Sequence, residues 1–396
     1  MKILFTLLGE VGHVNPFVGI ARALVANGHE VAVHSTRSFE SQFARAGVRA
    51  RWYRDGVADA PVASPQQMAA RMRNLRWLRG WYELALRTLP ASVQTIRSTV
   101  RDFRPDVICV DPLIAAGAIV AESEKIPWAA VTPVLSTLRP TDWSCPFLDV
   151  AVSLAPRMRE LLDAQGAHGI VFEGVDVVSP SFNSVFTTEA FAPRAQTANT
   201  HSTYVGPARS GGPRGDEPEF PWERLHERPL VYVASGGGQS LSFDPASVLR
   251  IARAIPESAA SIVLAVHHLV DDAGFMSAVP PHCIVTRYAP QLRLLDRAAV
   301  AVTHGGINTV NECLERGCPM IVMPLGKEQP LQAELVRRAG AGTTLDPMSF
   351  TDEECRDSVL AMIADGPYRE RARIIRDSYR ATDSSAVVCA ALERLA

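Results

Sequence analysis

The stretch VAVTHGGINTVNECLERG, residues 300–317, joins an apolar strand to a helix through a polar, glycine-rich turn. His304 stands at the end of the strand. Gly305 and Gly306 let a ligand approach the backbone closely. The helix behind them offers N–H groups without intrahelical partners, at the positive end of its dipole. Asn308 and Thr309 add side-chain donors in the first turn. Glu312 shares a helix face with Asn308, four residues away. A carboxylate there does not favour phosphate, but it can accept from a pair of ribose hydroxyls. The set therefore suits a nucleotide diphosphate better than a bare phosphate. The competing account is an ordinary capped helix with an incidental histidine.

Further candidates lie in the same half. In RYAPQ, residues 287–291, Tyr288 can stack on a base and Gln291 can bond a ribose or base. An ordinary strand end with a buried tyrosine reads the same way. In MPLGKEQPLQAE, residues 323–334, Glu328 and Gln329 set a carboxylate beside an amide, a good pair for sugar hydroxyls. A solvated helix start is the alternative. Ser235, Gly236 and Gly237 belong to ASGGGQS, which matches neither the dinucleotide fingerprint nor the phosphate-loop pattern and is compatible with a flexible turn.

These residues need a scaffold. A chain of 396 residues exceeds one ordinary core, so two domains are expected. With 47% hydrophobic and 21% charged residues the composition is globular, and the net charge of −2 gives no reason to expect a nucleic-acid partner. Seven scattered cysteines, none in a CxxC pair, point to neither a zinc site nor a disulfide framework and fit reduced cytosolic thiols. ILFTLL is too short for a signal sequence and is read as a first strand; no window is long enough for a membrane span.

KILFTLL, NPFVGIARALVANG and HEVAVHS read as strand, helix and strand, with Asn15 and Pro16 starting the helix. The rhythm resumes at PDVICVDP and PWAAVTP, with a long helical stretch over 64–104 between. A Gly/Pro-rich segment near 206–229 separates this from five further strands, LVYVAS, SIVLAV, CIVTRY, VAVTH and PMIVMP. The expected fold class is α/β, with two doubly wound Rossmann-like domains facing across a ligand cleft.

YAPQ, THGGINTVNE, GCPMIVMP and EQPLQAE together resemble the donor signature of inverting GT-B nucleotide-sugar glycosyltransferases. That group includes plant secondary-metabolite glucosyltransferases and bacterial antibiotic and macrolide glycosyltransferases. The resemblance is strong from about 285 to 345 and looser before 230. It assigns Tyr288 to base stacking, Gln291 to ribose or base, and His304, Gly306, Asn308 and Thr309 to the diphosphate. Glu312 falls on the ribose hydroxyls, Glu328 and Gln329 on the sugar hydroxyls, and Ser235 with its glycines near the phosphates. Plant members usually have tryptophan where this chain has Tyr288 and aspartate where it has Glu328, which leaves the sugar open.

In the first half the resemblance implies that His13, in GEVGHVNP, is the general base and that Asp111, in CVDP, orients it. An alcohol needs such a base at neutral pH. Glu10 is a rival base, and a helix cap and a turn starter are the plain accounts of His13 and Asp111. The arginine- and aromatic-rich run 71–89, including Arg71, Arg73, Trp77 and Trp81, matches the acceptor-facing helices of the group. A membrane-surface helix or a plain amphipathic one remain alternatives. Trp143 and Phe147 are candidate pocket walls.

The implied activity is inverting, metal-independent transfer of a hexose from a UDP-sugar to a hydroxyl of a small hydrophobic natural product or lipid. No cofactor beyond that co-substrate is implied, and no DxD metal motif occurs. A dTDP-deoxysugar transferase, a UDP-sugar epimerase and a non-catalytic sugar-nucleotide-binding partner are the alternatives; a dehydrogenase is disfavoured because no dinucleotide fingerprint occurs. The expected division is an acceptor domain over 1–208, a linker over 209–228, a donor domain over 229–378, and a helix over 379–396 packing back on the first domain. The expected location is cytoplasmic, and oligomeric state is not legible.

Overall fold

The computed structural model describes residues 1–55, 74–197, 199–212, 217–225, 227–236 and 242–396. Gly237, Arg71 and Arg73 lie outside the described residues.

The short apolar runs form strands buried on both faces, as parallel strands covered by helices require. The first half contains β1 (Lys2–Leu7), β2 (Glu30–Ser35), β3 (Arg51–Arg54), β4 (Val107–Val110) and β5 (Trp128–Thr132). After them come an antiparallel ribbon of β6 (Val171–Glu173) and β7 (Asp176–Val178), then β8 (Asn183–Val185) and β9 (Ser202–Tyr204). Seven of these form a parallel sheet in the order β3-β2-β1-β4-β5-β8-β9.

The second half contains β10 (Leu230–Ala234), β11 (Ser261–Ala265), β12 (Cys283–Thr286), β13 (Ala298–Thr303), β14 (Met320–Val322) and β15 (Gly342–Thr344). Their parallel order is β12-β11-β10-β13-β14-β15. The α/β class with two doubly wound sheets is as expected. The pattern reading missed β3, the ribbon, β8, β9 and β15, each three or four residues long and too short to show a period.

In the first sheet the strand order reverses between β1 and β4, and in the second between β10 and β13. Crevices form beyond the carboxyl ends of the strands at such points. His13 and Asp111 follow β1 and β4; Ser235 and His304 follow β10 and β13.

The first helix corrects the expected start at Asn15-Pro16. It runs from Val11 to Ala26 with Glu10 at its cap and Pro16 inside. Asn15 does not cap it; its Oδ1 accepts from Gln42 Nε2 at 2.8 Å. The long helix Leu75–Phe103 is capped by Asn74, which accepts from the N–H groups of Arg76 and Trp77 at 3.0 and 3.2 Å. Leu86, Leu89, Val93, Ile96, Val100 and Phe103 face its core at helical spacing. The C-terminal stretch is two helices, Pro367–Arg380 and Ser384–Leu395. The last buries Val388, Cys389 and Leu392 in the core of the first sheet, with Ile3, Val18 and Val131. No described helix is long and apolar enough to cross a membrane.

Candidate active site

The pairing of Thr6 with Val110 brings the loops after β1 and β4 side by side. Asp111 is completely buried. Its Oδ2 lies 2.7 Å from His13 Nδ1 and accepts from the Leu8 N–H at 3.3 Å, while Oδ1 accepts from the Leu113 N–H at 3.2 Å. The carboxylate is therefore fixed by backbone before it meets the imidazole. Burial by itself lowers the basicity of His13. The charge and hydrogen bond of Asp111, helped by Glu10 and Glu328, outweigh it and raise the pKa above 6.5. With Nδ1–H directed at Asp111, Nε2 is left with its lone pair.

Glu10 is not free to act as a rival base. Both its oxygens lie 3.3 Å from Lys327 Nζ, whose charge, against the opposing effect of burial, holds the carboxyl below its usual range.

On the other wall, Gly306 caps the helix Ile307–Glu315 without a side-chain cap hydrogen bond. Gly305 has φ +88°, and a Cβ there would stand 2.8 Å from Val322 Cγ1. A Cβ on Gly306 would stand 2.8 Å from His304 Nε2, so this glycine keeps the imidazole's space open. Burial pushes the His304 pKa down to about 4, against a small opposing effect from the Ala234 backbone, so the ring is neutral at pH 7. Gln291 ties the neighbouring residues together. Its Nε2 donates to Thr309 Oγ1 at 3.2 Å and to Glu312, and its Oε1 accepts from the Tyr232 hydroxyl at 2.9 Å. Tyr288 is half exposed, with its hydroxyl 2.6 Å from His267 Nε2.

Three expected contacts are spent elsewhere. Ser235 Oγ donates to the Ala265 carbonyl at 2.8 Å. Gln329 is buried, and its Oε1 accepts from the Leu325 N–H at 2.8 Å, while Glu328 beside it also lines the cleft. Asn308 Nδ2 donates to the Gly12 carbonyl at 3.0 Å, across the cleft.

One cavity of about 1500 Å³ spans both walls, lined by His13, Ser235, Tyr288, Gln291, His304, Gly306, Asn308, Thr309, Glu312, Glu328 and Gln329. Trp77, Trp81 and Trp143 line its first-half end. Phe147 does not; partly buried, it packs against the hydrophobic cores. Gly305 lies behind the lining, buried.

Residues 252–395 match the family described as Erythromycin biosynthesis protein CIII-like, C-terminal domain. Along most of its length the chain is similar to NDP-glycosyltransferase YjiC of Bacillus licheniformis, 24% identical over 88% of this chain and 86% of that one. It is also similar to 4'-demethylrebeccamycin synthase of Lentzea aerocolonigenes, 25% identical over 94% of each. These likenesses support a place for the chain among the GT-B glycosyltransferases. Its fold matches the glycotransferase of kitacinnamycin (TM-score 0.76, 23% identity, 100% and 98% coverage). It also matches glycosyltransferase VinC in complex with dTDP (TM-score 0.71, 19% identity, 100% and 99% coverage).

This glycosyltransferase also carries site residues that sequence reasoning passed over. Lys327 and Asp176 line the cavity. Asp176 is buried, accepts from Ser136 Oγ at 2.6 Å, and has its pKa pushed up to about 6, chiefly by burial. A lone aspartate in the short alternating run EGVDVV was the available signal. Lys327 had no such signal, because its partner Glu10 is 317 residues away.

Proposed function

We propose that this glycosyltransferase moves a hexose from a UDP-sugar to a hydroxyl of a small hydrophobic acceptor, with inversion at the anomeric carbon and without a metal ion. The observation that carries this reading is that His13, backed by the buried Asp111, and the start of the 307–315 helix beside His304 line one cavity. In this reading residues 1–208 bind the acceptor, 229–378 bind the donor, 209–228 join them and 379–396 return to the first unit.

His13 Nε2 takes the acceptor's proton as the acceptor oxygen bonds to the anomeric carbon. The bond from that carbon to the diphosphate breaks, and its electron pair leaves with the nucleotide. Asp111 stabilises the imidazolium that forms. The N–H groups at the start of the 307–315 helix and the His304 ring take up the charge developing on the diphosphate. Tyr288 offers its exposed ring to the base. Glu312, which accepts from Gln291, also accepts from the ribose hydroxyls, which favours UDP because a deoxyribose lacks the 2′-hydroxyl. Glu328 accepts from the sugar, and Trp77, Trp81 and Trp143 wall the acceptor.

A dTDP-deoxysugar donor is the second reading, favoured by the dTDP held by VinC. Replacing His13 with alanine tests the first: transfer in the presence of EDTA should be lost by a factor of about 10² or more, with UDP affinity nearly unchanged. Equal loss of both would remove His13 from the role of base.

A further inference from the structure

The loop that carries His13 is held from the opposite wall of the cleft at two points. Glu10 is the helix cap: its carbonyl accepts from the N–H groups of His13 and Val14 at 2.9 and 3.0 Å. Its position therefore sets where the His13 turn begins. Its side chain makes no cap hydrogen bond. It reaches instead to Lys327, with both oxygens 3.3 Å from the ammonium.

The second point follows from Pro16. A proline has no N–H, so the carbonyl of Gly12, four residues earlier, lacks its helical donor. Asn308 Nδ2 fills that vacancy at 3.0 Å.

Lys327 is built for this task. It is a non-glycine residue at φ +53°, a conformation that disfavours L side chains. Such outliers persist where the surroundings demand them. Its ammonium also lies 5.2 Å from the centre of the Trp81 ring, so three parts of the cleft meet on one charge.

We propose that Lys327 is a positioning residue: its ammonium, acting with Asn308, clamps the Glu10–His13 turn to the donor-side loops and so holds His13 in its working place. The proposal rests on the reading of His13 as base. It makes the geometry of the base depend on the two halves being joined, since neither clamp residue lies in the half that carries His13.

The test needs no substrate. Histidine-labelled protein is titrated by NMR, with the His13 signal assigned from a His13→Gln sample. Besides Glu10, the charged groups that act on His13 are Asp111, Glu328 and Asp176, and these stay unchanged in every variant. In Lys327→Met the Glu10 charge is left uncompensated beside His13, so the His13 midpoint moves to higher pH. Glu10→Gln moves it lower, and the double variant follows Glu10→Gln. Amide exchange over residues 9–16 quickens about tenfold in Lys327→Met. Lys327→Arg keeps the charge and behaves as wild type. An unchanged midpoint and unchanged exchange in Lys327→Met overturn the proposal, and so do equal effects of the Met and Arg variants, which would mean packing alone. Failure of the wild-type protein to bind UDP would instead strike the assigned function and leave the titration result standing.

Discussion

Asp111 Oδ2 lies 2.7 Å from Nδ1 of His13, 98 residues earlier in the chain, and the carboxylate has no exposed surface. This contact sets the pH response of the proposed base. A base works in its neutral form, so transfer should rise with pH through the His13 pKa, which lies above 6.5. Asp111→Asn should shift that acid limb to lower pH and reduce kcat by about 10²–10⁴. The stability linkage has the opposite sense. Because the folded pKa is raised, the pair's contribution is complete below 6.5 and is lost as pH rises through the folded value. A pH–rate profile and melting curves check both signs. An unmoved acid limb in Asp111→Asn would contradict the coupling.

Asp176 behaves in the other direction from most carboxylates. Burial raises its pKa from 3.8 to about 6, so it destabilises the fold as pH rises through that range. Asp176→Asn keeps an oxygen for the Ser136 hydroxyl and removes the buried charge. It should raise stability at pH 8 by on the order of 2–3 kcal/mol, with no gain at pH 4. Denaturant melts at the two pH values decide this; equal effects at both would contradict it.

The low basicity of His304 defines how it meets an anion. With a pKa of about 4 the ring acts at pH 7 as a neutral hydrogen-bond donor rather than a cation. His304→Gln should then keep UDP affinity within about threefold, and His304→Leu should lose about tenfold. Similar losses in both variants would show that a positive charge is required.

Gly305→Ala tests the turn itself. Positive φ and the approach to Val322 make the substitution cost about 1–3 kcal/mol of stability. The melting temperature should fall, and UDP binding should fall with it, because the start of the 307–315 helix moves. A wild-type melting temperature would contradict the strained-turn account.

Much of this was legible locally. The apolar runs at KILFTLL and VAVTH, and the HGG turn that follows the latter, carry their own structure, because buried parallel strands and a close-packed turn each leave a mark within a few residues. The rest is decided by neighbours distant in sequence. Nothing near Asn308 announces that Gly12, 296 residues away, will accept its amide. Phe147 has the character of a pocket wall, yet it packs against the cores outside the cavity lining. The helix start at Val11 was hidden because Asn15-Pro16 is a strong local start signal, overridden by the turn at Glu10.

Calorimetric titration of the protein with UDP and with dTDP, without acceptor and in EDTA, decides the donor assignment. The account expects micromolar UDP binding, weaker dTDP binding, and loss of the UDP preference in Glu312→Ala. Tighter dTDP than UDP would move the enzyme to the deoxysugar donors. Binding of neither nucleotide would contradict the assignment of the His304–Glu312 segment as the donor site.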